Sequence, residues 1–326
     1  MKRTTFVLLT VLFLQTICFS QALTWYRFDN TFISNSYSNS AIGNLSFNNF
    51  HPAGNVHSTS CGGNDGELHI GMRLPEVALP AAQMPLTNAP SGTDPNWGLV
   101  AELPNASQGN GPSKLAQLSG QPITFQGYFR VWDEGHGSGA SPPSNPHHVF
   151  EMHPAWGFKG GIVTFMQKNL VASMASYQGY GATKFKPMFQ EFTNQVWPLA
   201  YQDGQTLFVG LKKNANFYQL PVRVTGITSV TGGHEVKVEV FSNQAMTASV
   251  FPSLTVITVS GSPIDTQLHA GQKTFLLGFF SVNLKKALDA SAGAHTPQTA
   301  ISVGNALEFF AFGIAVNGAV SSCSSN

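Results

Sequence analysis

From Gly66 onward, short apolar or alternating runs recur between clusters of Gly, Pro, Asn and Ser: "GELHIGMRL", "WGLVAELPN", "PITFQGYFRVW" and "HHVFEMHPAW". Runs of this length with a period of two, rich in aromatic and β-branched residues, predict strands. The second half follows the same grammar. "FYQLPVRVTGITSV", a Gly232-Gly233 turn, "HEVKVEVFS", "SLTVITVSGS", "KTFLLGFFSVNL" and "NALEFFAFGIAV" supply five further strands. The intervening pieces "PEVALPAAQMPLTNAPSGTDPN" and "DEGHGSGASPPSNP" hold too much Pro and Gly for helices and are expected as surface loops. The predicted class is all-β.

The two halves resemble each other. "LSGQPITFQGYFRVW" (Leu118 to Trp132) and "LHAGQKTFLLGFFSVN" (Leu268 to Asn283) share a Gln, a Gly six residues later, then aromatic-Phe-x-Val. Flanking strands follow in the same order, which argues for two copies of one small β-domain. The expected organisation is a signal peptide over 1–22, an irregular segment or edge strand over 23–60, a first β-domain over 61–160, a connecting segment over 161–206 and a second β-domain over 207–326. The only helix-compatible spacing lies in the connecting segment, at Phe185, Phe189 and Phe192, where Pro187 interrupts it.

The first residues change the picture of where the protein works. Lys2 and Arg3, the apolar run Phe6 to Leu14, and small residues at Ser20 and Ala22 form an export signal cleaved after Ala22, so the chain is expected to be secreted. No apolar run is long enough to span a bilayer. Cleavage removes Cys18 and leaves Cys61 and Cys323, which either form a disulfide tying the chain end to the first domain or stay as two thiols. Charged residues make up 10% of the 326, with a net charge of +1. No long-range field results, and strong nucleic-acid binding is not expected.

Candidate chemistry concentrates in Ser144 to Trp156, "SNPHHVFEMHPAW". On an extended strand His147, Val149, Glu151 and His153 share one face, and His148, Phe150 and Met152 the other. His147 and His153 are too far apart for one ion, whereas Glu151 and His153 could share one if His69, Asp133 or His136 completed the set. Three readings stay open: hydrogen bonds from Glu151 and His153 to neighbouring strands, with Pro154 ending the ladder; a zinc-type site of His69, Glu151 and His153; or an acid–base pair. The wider set of candidate ligand-binding residues is His69, Trp132, Asp133, His136, His147, Glu151 and His153. The chain has no G-x-S-x-G elbow, H-E-x-x-H, P-loop or C-x-x-C pair.

The order "DGELHIGM", "LVAELPN", "QPITFQGYFRVWDEGHG", "NPHHVFEMHP" resembles a group of uncharacterised, mostly bacterial secreted proteins, over Asp65 to Phe158. In that group an OB-like barrel opens on a D-G-D-x-H strand and closes on "GIELHPV". Here the loop before the closing strand is longer, and Met152 stands where the group has Leu. The resemblance implies a five-stranded Greek-key barrel able to hold a ligand on one face, and no activity. Two small OB-like barrels are therefore expected. The leading functional expectation is a secreted, non-enzymatic binding or structural protein with a His/Glu-bearing rim, without a cofactor, taking a small molecule or glycan. The alternative is a metal-dependent hydrolase of nuclease or phosphodiesterase type using zinc at the same cluster. The second half keeps a carboxylate, Glu308, but no histidine or proline in its closing strand, so any ligand is expected on the first domain.

Overall fold

The computed structural model of the chain describes residues 23–37, 42–52, 68–73, 98–104, 110–133, 144–166, 186–187, 197–213 and 218–315. Cys61, Cys323, His136 and the expected signal peptide lie outside them, as do Phe185, Phe189 and Phe192.

The strands of the first half are β1 (Thr24–Asp29), β2 (Ile42–Phe47), β3 (His51–Pro52), β4 (Leu68–Arg73), β5 (Gly98–Leu103), β6 (Ile123–Val131), β7 (Phe150–Gly160) and β8 (Val163–Met166). Those of the second are β9 (Lys186–Pro187), β10 (Leu199–Asp203), β11 (Thr206–Leu211), β12 (Tyr218–Val230), β13 (Gly233–Phe241), β14 (Ser249–Val259), β15 (Lys273–Val282), β16 (Ile301–Ser302) and β17 (Leu307–Ala315). The all-β expectation is met.

In the second half, β12 pairs with β13 and with β15, β14 pairs with β17 in parallel, and β17 with β15, so five strands close into a barrel in the order β12-β13-β14-β17-β15. Closure removes every edge. A short helix, Pro263–Gln267, lies between β14 and β15. The first half repeats the plan. β4 pairs with β5, β5 with β7 in parallel, and β7 with β6, with a helix over Gly111–Ala116 between β5 and β6. The role of β12 is divided here between two successive pieces: β2 pairs with β6 and β3 with β4.

The glycine shared by the two halves has a steric cause. Gly127 and Gly278 sit at register shifts where β6 and β15 lie against β7 and β17. A Cβ on Gly127 would stand 2.5 Å from the Pro154 carbonyl oxygen, and one on Gly278 2.0 Å from that of Phe310. Only glycine permits this approach.

Two expectations need correction. The described residues of 23–60 are not irregular, and the edge-strand alternative fits them: β1 is the edge of a four-stranded sheet with β11, β10 and β16, and β2 and β3 stand at the two ends of the first half's strand order. Asp29 ends β1 by accepting a hydrogen bond from the Phe32 N–H, which caps a helix over Asn30–Ser36. Phe28 and Phe32 then pack against Phe150 at 6.5 and 5.5 Å between ring centroids, closing one end of the first barrel. Nor are residues 161–206 merely a connection, or 207 the start of the second barrel. β8 forms a hairpin with β7, and β10 with β11 through a tight turn at Gly204, which has φ +56°. The second barrel begins at Tyr218.

The barrels meet through their related strands. β6 faces β15, with the Val131 N–H donating to Ser281 Oγ at 3.0 Å and Tyr128 packing 4.8 Å from Phe310 between ring centroids. The interior of the first barrel and this contact form one continuous apolar cluster, while the second barrel's interior forms another.

Candidate functional site

In β4, Leu68, Ile70 and Met72 point into the first barrel, so His69 points out; by the same alternation Glu102 on β5, Arg130 on β6, and Glu151 and His153 on β7 leave the barrel interior. Register sets them side by side. His69 is opposite Glu102, Arg130 is opposite Glu151, and β5 and β7 run in parallel with Val100 beside Glu151, which carries Glu102 toward His153. Five polar side chains from four strands thus form one row across the outer face of the barrel.

The contacts along the row are short. Arg130 Nη1 donates to Glu151 Oε1 at 2.6 Å, and its Nε donates to the Phe280 carbonyl at 3.2 Å. The guanidinium lies over the Phe279 ring at 4.4 Å, and the His153 ring lies 4.8 Å from that same ring. His153 Nδ1 stands 3.2 Å from Glu102 Oε2 and 3.3 Å from Glu151 Oε1, and His69 Nε2 stands 3.4 Å from Glu102 Oε1. Arg130 is 0% exposed, His153 1% and Glu151 4%. Charges this deep persist only when paired and hydrogen-bonded.

A sixth member comes from outside the alternation. The chain bends at Val149 before β7 begins, so His148, which an extended strand would turn to the opposite face, reaches forward three residues to Glu151. Its Nε2 lies 2.9 Å from Glu151 Oε2 and its Nδ1 2.7 Å from the Pro146 carbonyl oxygen. A carbonyl only accepts, so Nδ1 carries a proton. With Glu151 ionised, Nε2 donates as well.

The electrostatics follow. Burial alone would raise the Glu151 carboxyl, but Arg130, then His153, and the hydrogen bond from His148 hold it well below the usual carboxylate range. Burial pulls the His148 imidazole down, yet the hydrogen bond and charge of Glu151, and the charge of Glu102, outweigh it and the value is raised. In the second barrel Glu308 is pushed up by burial despite Lys286 Nζ at 2.7 Å and Asn283 Nδ2 at 2.9 Å.

These directions fix a pH profile. The Glu151 contribution is present above the ordinary carboxylate value and lost as pH falls through the depressed one. The His148 contribution is full below the ordinary imidazole value and lost as pH rises through the raised one. Glu308 is held with its charged form disfavoured, so stability increases as pH falls through its raised value. The melting temperature is therefore expected to be higher at about pH 5.5 than at about pH 8, and to collapse only in stronger acid. A thermal scan across pH, with His148→Gln flattening the alkaline limb, checks this; a maximum on the alkaline side contradicts it.

Several of the candidate residues converge here and others do not. His69, Glu151 and His153 belong to one network, with Glu102 linking the first to the third. Trp132 instead stacks on Phe280 at 5.6 Å and meets Tyr218 edge-on, at the mouth of the second barrel. Asp133 accepts a hydrogen bond from the Tyr26 hydroxyl at 2.8 Å. The His147 carbonyl accepts from the Gly98 N–H at 2.9 Å. Pro154 does not end the ladder: β7 continues through it, because a register shift between Gly127 and Phe129 leaves the proline in a bulge. Arg130, Glu102 and His148 were outside the expected set. The signal for the first two was present, a charged residue inside an apolar strand run ("YFRVW", "LVAEL"), since a buried charge demands a partner.

The second barrel lacks the row. Ser281 stands opposite Glu308 as Arg130 stands opposite Glu151, and Thr255 stands beside Glu308 as Val100 beside Glu151. Carried along the strands, that register puts Ile257 in the place of Glu102 and Phe310 in that of His153. Pro154 is the extra residue of the first copy, since Ala155 faces Gly127 as Ala311 faces Gly278.

No family model matches the chain, and no curated protein matches it. Among solved structures it is similar to "Structure of murine DNA binding protein bound with ds DNA" at 11% identity, over 82% of this chain and 91% of that one, with a TM-score of 0.19. At that score the likeness bears on neither fold nor function. Among the described residues no helix is long and apolar enough to cross a membrane.

Proposed function

We propose that the chain is an exported, non-enzymatic binding or structural protein in which the charged row of the first barrel is the joint against the second, and in which ligand contact falls to the first barrel's rim. The observation that carries this reading is Arg130. It is fully buried, it holds Glu151, and it donates to a backbone carbonyl of the other barrel. Groups spent on each other under a neighbouring barrel are placed to fix an arrangement; a hydrolytic pair needs open approach to a substrate. His69 marks the outer end of the row, its side chain 18% exposed against 9% for Glu102. A neutral small molecule or glycan suits a chain with 17 basic and 16 acidic residues.

The test is a double substitution, Glu151→Ala with His153→Ala. It is expected to lower the melting temperature by roughly 5–15 °C, because it strips partners from Arg130 and Glu102. Loss of a ligand found by glycan array, with stability nearly unchanged, would instead make the pair a binding site. A second reading, a metal-dependent hydrolase, is favoured by one observation: a ligand atom from each of Glu102, His148 and Glu151 lies within 4.8 Å of the others. Turnover of an activated phosphodiester by the zinc-treated protein, above a zinc blank, would replace the non-enzymatic reading.

A further inference from the structure

We propose that Glu102, His148 and Glu151 form a site for one divalent transition-metal ion of the zinc class, seated beside the contact between the barrels. The inference rests on reading the charged row as a joint and adds the ion that completes it.

Geometry comes first. The three ligand atoms lie within 4.8 Å of one another. Zinc bonds to imidazole nitrogen and carboxylate oxygen of about 2.0–2.2 Å set two donors of a tetrahedral ion about 3.4 Å apart. Closure therefore needs a swing of up to roughly 1.4 Å at the end of a glutamate side chain. One pair, His148 Nε2 and Glu151 Oε2, is already at 2.9 Å.

The surroundings orient the donors. Metal-bound imidazoles usually donate their other ring N–H to a carbonyl or carboxylate, which fixes the ring and the tautomer. His148 does this toward the Pro146 carbonyl at 2.7 Å and presents Nε2 to the glutamates. Arg130 takes Glu151 through Oε1, which leaves Oε2 directed at His148. His153 engages the other glutamate at Glu102 Oε2. Each first ligand is thus held by a second group.

Charge sets a condition on binding. Arg130 and the second proton of His148 together offset Glu102 and Glu151. A divalent cation bound to His148 Nε2 therefore takes the place of that proton, which passes to solvent. Two carboxylates and an imidazole, without thiolate, suit zinc and its neighbours better than calcium, which takes six to eight oxygens. The second barrel has Ile257 in the place of Glu102, so one ion per chain is expected.

The test uses the full chain stripped with chelator and titrated with zinc alone by calorimetry. Saturable binding of one equivalent is expected. His148→Ala and Glu102→Gln should each weaken it by about 10- to 100-fold or more, while His234→Ala, which removes an imidazole paired with Asp265 in the second barrel, should not. Because a variant could be damaged in folding, zinc should also raise the melting temperature of the unsubstituted chain and of His234→Ala but not that of His148→Ala. Absence of saturable binding, or equal affinity in His148→Ala, overturns the site. The joint reading is judged separately: it stands if substituting Arg130 destabilises a chain that binds no zinc, and it falls if the zinc-loaded chain turns over a phosphodiester, an outcome that upholds the metal.

Discussion

Arg130→Met is expected to destabilise the protein by about 3–5 kcal/mol, the cost of leaving a buried carboxylate without its cation. The side chain is fully buried, so water cannot replace what it supplies to Glu151 at 2.6 Å and to the Phe280 carbonyl at 3.2 Å. Methionine fills much of the volume over the Phe279 ring, so the loss is mostly electrostatic and not a cavity. The double variant Arg130→Met with Glu151→Leu removes both charges and should recover a large part of the loss, since a buried ion pair is often no more stabilising than apolar residues of the same size. Equilibrium unfolding in urea measures both. A single-variant loss below about 1 kcal/mol would mean that His148 and His153 already neutralise Glu151, and that Arg130 does not hold the joint.

Gly278→Ala should be nearly as damaging. Its Cβ would meet the Phe310 carbonyl oxygen at 2.0 Å and the Phe309 ring at 2.6 Å. Phe310 belongs to β17 and its backbone is tied into the barrel, so the clash cannot be relieved by turning a side chain. Overpacking commonly costs about 1–3 kcal/mol, and a backbone clash belongs at or above the upper end. Gly127→Ala repeats the clash in the first barrel at 2.5 Å from the Pro154 carbonyl oxygen. As a control, Gly261, with nothing within 4 Å of its added Cβ, tests only the strain of a φ of +83°. If Gly278→Ala and Gly127→Ala cost no more than a few tenths of a kcal/mol, the shared glycine has no steric role and the likeness between the halves loses its physical reason.

Much of the barrel was legible in the order of residues, because a strand with one buried face writes a period of two into its sequence. "TFQGYFRVW" and "TFLLGFFSV" read as equivalent strands and are equivalent, down to the glycine at the bulge. The capped turn after Asp29 and the Asp203-Gly204 hairpin are equally local signals, the first obscured by a following segment rich in Asn and Ser. The loss of the His/Glu row from the second copy could also be read directly, by laying Glu151-Met152-His153 beside Glu308-Phe309-Phe310.

Only the tertiary structure decided which polar residues meet. Glu102, Arg130 and Glu151 are far apart along the chain and adjacent because β5 pairs with β7 and β7 with β6, a register set by long-range packing that no local period encodes. The bend at Val149 brings His148 to Glu151 and sets aside the strict alternation that put them on opposite faces. Above all, the row's fate depends on what covers it. Seen alone, the outer face of the first barrel is a polar rim open to a ligand. With β15 against it, the same side chains become a buried joint whose pairing is enforced by the exclusion of water.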